Sequence, residues 1–324
     1  MRREFLKRAA ALSATVVLSP MAFAQADWPT RPITLLVPYP PGGALDPIAR
    51  ALAAQLPALL GQPIVVVNRP GGNTSIASTA VYRAEPDGYT LVINSPTTQV
   101  LHTMQAPRGY DAVKGFSPIA SVSHGDWVLA VHASVPANNL PELIAYGRAN
   151  PDKLSAGVTG AGTADHLGTE LFKHATDIKF MSVPYKGSGA AMIDLVAGRV
   201  QMMISTKTVL QPQIDAGKLR LIAYTSQPVG EPPVPTFAQA GLKGFEVFGT
   251  TLIVLGPPNM PAPIVNRLTN AIERAIQMPE TKTMLANVNQ RPFYEPPAAV
   301  RDRLTAANAL FTDIIQKTGI KFEE

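Results

Sequence analysis

The sequence predicts an α/β protein built from two doubly wound lobes. From Pro32 onward, short apolar runs alternate with stretches that repeat apolar residues at helical spacing, the pattern of βαβ units around a parallel sheet. The length of 324 residues allows one large or two ordinary domains. With 46% hydrophobic residues and no cysteine, the chain has a sizeable core but neither thiolate catalysis nor cysteine-ligated zinc.

The first predicted lobe begins with a buried strand over residues 33–37. Asp46-Pro47 then supplies an N-cap and a proline suited to the first helical turn, and Gly61 ends the helix. Apolar residues recur at helical spacing between these two signals. A strand, a helix and a third strand follow at residues 64–67, 75–84 and 89–93.

The second predicted lobe repeats the alternation without repeating the sequence. Its strands are predicted at residues 127–131, 154–156, 179–183, 200–204 and 219–224, and its helices at residues 141–150, 163–174, 190–197 and 209–216. A further strand at 252–255 and helices near 263–277 and 298–317 complete the pattern.

The first 24 residues have the features of an export signal. A basic start precedes an apolar run, a helix-breaking Ser19-Pro20 and the cleavage site Ala22-Phe23-Ala24, so the mature chain is predicted to begin at Gln25. The run Arg2-Arg3-Glu4-Phe5-Leu6-Lys7 resembles the twin-arginine consensus. We therefore expect export to the periplasm.

The remaining sequence shows few marks of nucleic-acid binding or catalysis. Most of the net charge of +5 lies in the leader, so the rest lacks the basic surface that binds phosphates. No G-x-S-x-G elbow, H-E-x-x-H motif or EF-hand loop is present, and the five histidines are scattered. We predict no catalytic residue, metal or cofactor, although a Ser–His–Asp group assembled in space stays open.

Four loops that follow predicted strands and open helices are candidate ligand sites, because ligands bind there in open α/β sheets. Glycines allow close approach to the backbone, and free N–H groups at a helix start favour an anion. The candidates are Tyr39, Pro41, Gly42, Gly43 and Asp46 in the first loop, Ser95, Thr97 and Thr98 in the second, Gly160, Gly162, Thr163, Asp165 and His166 in the third, and Ser205, Thr206 and Lys207 in the fourth.

Each loop also has a purely structural interpretation. The first can be a tight turn with a capped helix, the second simple N-capping, and Lys207 a solvated surface residue. The glycine spacing of the third loop matches neither the dinucleotide nor the P-loop motif, which argues against a nucleotide.

Motifs along the chain resemble those of a known family. They are Trp28-Pro29, Val37-Pro38-Tyr39-Pro40-Pro41-Gly42-Gly43, Asn68-Arg69-Pro70-Gly71, Pro86-Asp87-Gly88-Tyr89 and Val183-Pro184-Tyr185-Lys186-Gly187. In this order, over essentially the whole predicted mature chain, they resemble the periplasmic receptors of tripartite tricarboxylate transporters, the Bug family.

The resemblance implies a Venus-flytrap protein of the type II periplasmic binding class, with two strands crossing between the lobes. Residues 25–124 with 250–324 would form one lobe and residues 125–249 the other. It also implies recognition of a small carboxylate, often a dicarboxylate, by loops of both lobes. Residues 39–46 would bind one carboxylate with residues 160–166 opposite, and Ser95, Thr97, Thr98 and Tyr185 would line the cleft.

Two departures from the family pattern bear on specificity. Many members carry an acidic residue where this chain has Ser205-Thr206-Lys207, so an α-amino group is less expected in the ligand and Lys207 would suit a second carboxylate. The aromatic residue usual near the second crossing strand is present as Phe248, which leaves the width of the pocket there open.

The functional expectation is a monomeric, non-enzymatic solute receptor that closes on its ligand and docks on the permease subunits of a membrane transporter. Two alternatives stay open. One is a periplasmic enzyme on the same scaffold, since a fold does not fix a function. The other is a sensory receptor that presents its liganded form to a signalling protein.

Overall fold

The computed structural model describes residues 28–42, 45–105, 108–226 and 234–320. The predicted export signal, its cleavage site and the candidate Gly43 lie outside the described residues.

Strands and helices alternate along the described chain. The strands are β1 (Ile33–Val37), β2 (Ile64–Asn68), β3 (Thr90–Asn94), β4 (Ser117–His124), β5 (Trp127–His132), β6 (Ser155–Val158), β7 (Met181–Pro184), β8 (Met202–Thr206), β9 (Leu219–Tyr224), β10 (Leu252–Gly256) and β11 (Arg291–Pro292). The helices are α1 (Asp46–Gln55), α2 (Pro57–Leu60), α3 (Ser75–Tyr82), α4 (Pro96–Gln105), α5 (Leu140–Ala149), α6 (Ala164–Thr176), α7 (Ser188–Val196), α8 (Lys207–Asp215), α9 (Ala262–Ala275), α10 (Pro279–Asn287) and α11 (Pro297–Thr318), with a 3₁₀ turn at Phe245–Val247.

The strands form two sheets, which confirms the predicted two-lobed α/β architecture. One sheet has the order β11-β4-β10-β3-β1-β2 and the other β7-β6-β8-β5-β9. We call the lobes built on them lobe 1 and lobe 2. The predicted lobe boundaries at 124/125 and 249/250 stay a prediction, because α11 packs both on α4 of lobe 1 and on α6 of lobe 2.

The expectation of parallel sheets is only partly right. β1 is parallel to β2 and β3, and β6 to β7 and β8, but β10 in lobe 1 and β5 in lobe 2 are antiparallel to their neighbours. The chain passes from lobe 1 into lobe 2 at β5 and returns to lobe 1 at β10. β5 starts beside the carboxyl end of β8, and β10 starts beside the carboxyl end of β3. Each therefore runs antiparallel to that neighbour.

Strand β4 was missed by the sequence analysis. Its burial is nearly continuous, but the buried residues include Ser121 and Ser123, so the apolar run that marks a buried strand is interrupted. The Ser121 hydroxyl donates to the carbonyl oxygen of Phe293 at 2.6 Å, which offsets the burial of a polar group. Helices α4 and α10 were also missed.

The apolar core is continuous from one lobe to the other. Its largest cluster joins Leu36, Val92 and Ile253 of lobe 1 to Leu129 and Phe172 of lobe 2. Neighbouring aromatic rings extend through it in the order Phe180, Phe172, Phe237, Phe245, Phe248 and Phe311. The chain leaving lobe 2 is therefore packed against α11 before it returns to lobe 1.

The turn before β3 shows close packing around a glycine. Gly88 has a φ of +80°, and a Cβ atom there would lie 2.5 Å from Ile264 Cγ2 and 2.8 Å from Trp28 Cζ2. The Trp28 indole is buried and donates to the carbonyl oxygen of Asp87 at 2.8 Å, so it is held in place. Gly88 is thus required both by backbone conformation and by space.

We expect Gly88→Ala to destabilise the protein more than Gly217→Ala. Both changes place alanine at positive φ, which costs about 1 to 2 kcal/mol, but a Cβ at Gly217 (φ +69°) meets nothing within 4 Å. Gly88→Ala adds overpacking of about 1 to 3 kcal/mol. Urea unfolding of the two variants measures the difference, and equal losses would contradict the packing argument.

Candidate functional site

The lobes are joined by two chain segments that are hydrogen-bonded to each other. Only Gly125 and Asp126 separate β4 from β5. The Gly125 amide donates to the Thr250 carbonyl at 3.1 Å, and the Thr250 amide donates to the Gly125 carbonyl at 2.9 Å. The Trp127 indole donates to Thr250 Oγ1 at 3.0 Å. We call this pair of segments the hinge.

Polar side chains surround the hinge. His124 contacts Thr251 Oγ1 through Nδ1 at 2.8 Å and Ser226 Oγ through Nε2 at 3.0 Å. Arg291 donates to Asp126 Oδ1 at 2.7 Å. Burial acts to raise the pKa of Asp126, but the hydrogen bonds from His124 and Arg291 outweigh it and lower the pKa below its ordinary value.

The candidate loop of β1 is held by Asp46, which is buried. One carboxylate oxygen accepts from the Gly42 amide at 3.1 Å and from Arg50 Nε at 3.0 Å, and the other accepts from Asn68 Nδ2 at 2.9 Å. Asn68 also donates to the Tyr39 carbonyl at 3.0 Å. Asp46 therefore fixes the loop backbone, and Arg50 balances its charge.

The prediction of Asp46 as the N-cap of the first helix is wrong. Asp46 is the first residue of α1, and the N-cap residue, Leu45, makes no side-chain hydrogen bond to the helix. The carboxylate instead turns back toward the loop. Hydrogen bonds from Arg50, Asn68 and the Gly42 amide lower the pKa of Asp46 from 3.8 to about 2.

The loop that follows β3 contacts the loop that follows β1 through the Tyr39 side chain. Tyr39 and Thr98 hydrogen-bond through their side chains, and burial raises the pKa of the Tyr39 hydroxyl. Ser95 Oγ accepts from the Thr98 amide at 3.1 Å and lies 2.8 Å from Thr98 Oγ1, so Ser95 caps α4. Thr97 is buried, whereas Pro41 and Gly42 are exposed. The predicted site residues Tyr39, Ser95 and Thr98 thus form one hydrogen-bonded cluster.

The candidate loop of β6 in lobe 2 is built in the same way as the β1 loop. Asp165, buried in the first turn of α6, accepts from the Thr159 amide at 2.6 Å and from Thr159 Oγ1 at 2.7 Å. His166 Nδ1 accepts from the Gly162 amide at 2.9 Å, and Thr163 Oγ1 donates to the Gly160 carbonyl at 2.7 Å. Asp165 and His166 therefore shape the loop.

The remaining predicted site residues lie around α7 and α8. The Tyr185 hydroxyl donates to Asp194 Oδ2 at 2.8 Å. Burial is the main cause that raises the pKa of this hydroxyl, and the hydrogen bond to Asp194 raises it further. Ser205 is buried near the end of β8, and Thr206 is the N-cap of α8. Lys207 Nζ lies 5.6 Å from the centre of the Tyr224 ring.

A cavity of about 360 Å³ lies between the lobes beside the hinge. Its lining comes from the first turn of α1, the first turn of α8, the hinge itself and the segment after α10. The lining residues are Leu45, Ile48, Gly125, Asp126, Thr206, Thr208, Val209, Thr250, Asn287, Val288 and Gln290. Of the predicted site residues that the structure describes, only Thr206 lines it.

A second concavity, of about 490 Å³, lies on lobe 2 at the end of α6. It is lined by charges of both signs, including Asp152, Glu170, Lys173 and Asp177. Among the described residues of its lining, Thr318 of α11 is the one outside lobe 2. The end of α6 there is its carboxyl end, which does not favour an anion. The cavity beside the hinge, which residues of both lobes line, is therefore the candidate ligand site.

Phe248 does not set the width of the cleft. Its ring is fully buried, 6.5 Å from Trp127 and 5.7 Å from Phe311 between ring centres, and Gly168 of α6 packs against it. The apolar side chains that line the cavity beside the hinge are Leu45, Ile48, Val209 and Val288. The sequence analysis missed them because it sought polar groups.

Among the described residues, no group of three or more His, Cys, Asp or Glu side chains is placed to hold a metal ion. Within the same ranges, no helix combines the length and the apolar character needed to cross a bilayer.

A family model described as the tripartite tricarboxylate transporter family receptor matches residues 48–320. The chain belongs to this receptor family. A relative from Pseudomonas sp. strain P51, a UPF0065 protein in the tcbD-tcbE intergenic region, is 38% identical over 279 residues, 85% of this chain and 82% of the relative. Protein BugT of Bordetella pertussis is 31% identical over 300 residues, 91% of this chain and 92% of BugT.

Solved structures of similar proteins include two with carboxylates. An R. palustris protein with adipate is 32% identical, with a TM-score of 0.70 over 92% of this chain and 100% of that one. MatC from Rhodopseudomonas palustris with bound malate is 27% identical, with a TM-score of 0.66 over 89% of this chain and 100% of MatC. The family predicted from the motifs is confirmed.

We expect Asp46→Asn to lower stability in a pH-dependent way. Because folding lowers the pKa of Asp46 to about 2, its ionised form stabilises the folded state fully above about pH 4, and this contribution is lost as pH falls toward 2. Urea unfolding at pH 6 should show a loss of about 1.5 to 3 kcal/mol, and the loss should shrink by pH 3.

The control is Asp313→Asn, because Asp313 is half-exposed on α11 and bonds Lys317 four residues on. Its effect at pH 6 should stay within about 0.5 kcal/mol. A loss in Asp46→Asn that is equally large at pH 3 and pH 6 would show that the carboxylate charge does not hold the loop.

Proposed function

We propose that this protein is a periplasmic receptor that captures a small carboxylate, most favourably a dicarboxylate, between its lobes and delivers it to the permease subunits of a tripartite tricarboxylate-type transporter. The observation that carries the proposal is the cavity beside the hinge, onto which the first turns of α1 and α8 converge from opposite lobes. Family membership supports a binding role, and the relatives with adipate and malate support a carboxylate.

The loops suit an anion because their own carboxylates are already satisfied. Asp46 is bonded to Arg50, Asn68 and the loop backbone, and Asp165 is bonded to Thr159. These bonds hold the loops in shape while the other amides at the helix starts face an anion favourably. In this proposal Tyr39, Ser95 and Thr98 contribute hydroxyls from lobe 1, opposite the Gly160–Thr163 loop of lobe 2.

Closure of the lobes on the ligand follows from the division of the site. Each lobe supplies part of the lining, so a closed state makes contacts with the ligand that an open state lacks. In this proposal the motion takes place at the hinge, where the two joining segments are short and Gly125 and Thr250 bond to each other. We propose that the closed monomer is the form that docks on the permease.

The first test is thermal unfolding of residues 25–324 with a panel of mono-, di- and tricarboxylates and amino acids. A ligand at 100 times its Kd adds about 2.7 kcal/mol of stability, which raises the unfolding temperature measurably. We expect a rise with at least one carboxylate and recovery of that carboxylate unchanged. A rise with amino acids only, or turnover of the ligand, would overturn the proposal.

A second test concerns Lys207 and a second carboxylate. Lys207→Met keeps an aliphatic chain over the Tyr224 ring but removes the charge. Calorimetric titration should show that the affinity for dicarboxylates falls by about tenfold, the effect of one charge-assisted hydrogen bond, with a smaller loss for monocarboxylates. Equal losses for both classes would remove Lys207 from specificity.

A further inference from the structure

We infer that the cavity beside the hinge is a compartment for the uncharged hydrocarbon part of the ligand. The preferred substrates are then carboxylates with an alkyl chain or an aromatic ring, and compact hydroxyacids such as malate bind more weakly. This inference rests on the proposed carboxylate function and specifies its substrate class.

The walls of the compartment are apolar and come from both lobes. Leu45 and Ile48 of lobe 1 are 8% and 2% exposed and belong to the core under α1, so this wall is rigid. Val209 of α8 faces it from lobe 2, and Val288 closes the side behind α10. Both valines are half-buried, so a ligand that covers them removes further apolar surface from water.

The compartment adjoins the polar loops. Leu45 directly precedes Asp46, which fixes the Tyr39–Gly42 backbone, and Thr206 directly precedes α8. In this inference, a molecule whose carboxylate lies at the Tyr39–Gly42 loop places its next atoms against Leu45 and Val209, which line the cavity. The hinge residues Gly125 and Thr250 form the floor, so the hydrocarbon part contacts both lobes and the segment that joins them.

The charge of the cavity lining restricts which ligand groups can lie against Gly125 and Thr250. Asp126 is the charged residue among the described residues of the lining, and its hydrogen bonds from His124 and Arg291 keep it ionised. A second carboxylate pushed against Asp126 would meet a like charge. Gln290 and Asn287 offer amides beside it. The deep end of the ligand is therefore a methyl, methylene or ring edge, and the carboxylates stay at the polar loops.

The volume suits a molecule of moderate size. The cavity of about 360 Å³ equals the volume that about a dozen water molecules occupy in liquid water, at roughly 30 Å³ each. That space is large enough for a hydrocarbon ring or a short alkyl chain. Water gains few hydrogen bonds from leucine, isoleucine and valine side chains, so its displacement by hydrocarbon is favourable.

The test measures affinity against hydrocarbon size by calorimetry on residues 25–324. The probes are unbranched monocarboxylates of three to eight carbons, succinates carrying a methyl, butyl or phenyl group at carbon 2, malate and adipate. We expect affinity to rise about fourfold for each added methylene until the compartment is full. Binding that is flat or falls with hydrocarbon size would overturn the inference.

Two variants place the effect in the compartment. Val288→Phe fills it, and Val209→Ser makes one wall polar without filling it. In both, the largest probes should lose about tenfold in affinity while the smallest changes less than about twofold. The matched control is Ile193→Phe, on α7 and 67% exposed, which should change none of these affinities.

The outcomes separate the inference from the proposed function. If no carboxylate binds the unmodified protein, the proposed function fails and the inference fails with it. If carboxylates bind but the two variants reduce affinity equally for small and large probes, or not at all, the function stands and the hydrocarbon compartment is rejected.

Discussion

The architecture depends on the pair of backbone hydrogen bonds between Gly125 and Thr250. These bonds bring together the two segments that cross between the lobes, and β5 and β10 start from them on opposite sides. Because both strands run away from the cleft, β8 of lobe 2 and β3 of lobe 1 must end at it. The helices that follow those ends then begin at the cleft, where a ligand can be held by both lobes.

The same construction principle recurs in the two lobes. A buried aspartate in the first helical turn accepts a backbone amide of the preceding loop: Asp46 from Gly42 in lobe 1, and Asp165 from Thr159 in lobe 2. This contact fixes each loop without a ligand, so in the proposed site binding need not order these loops. We propose that the apolar cavity beside the hinge adds a wall that distinguishes ligands by their hydrocarbon part.

The sequence was informative where one physical signal dominates. Continuous apolar runs located β1 and β3, and the motifs from Trp28 to Tyr185 identified the family. The sequence was less informative where the signal depends on tertiary contacts. Asp46-Pro47 marks a helix start, but nothing local shows that the carboxylate turns back to Gly42. Lys207 follows a strand at the cleft, yet its ammonium lies over Tyr224, a residue of a different strand.

The central claim, a carboxylate bound between the lobes beside the hinge, is tested most directly by a crystal structure of residues 25–324 grown with the carboxylate that stabilises the protein most. The account predicts a carboxylate group between the Tyr39–Gly42 and Thr159–Thr163 loops and the rest of the ligand against Leu45 and Val209. A ligand held by one lobe alone, or in the concavity near Lys173 and Asp177, would contradict it.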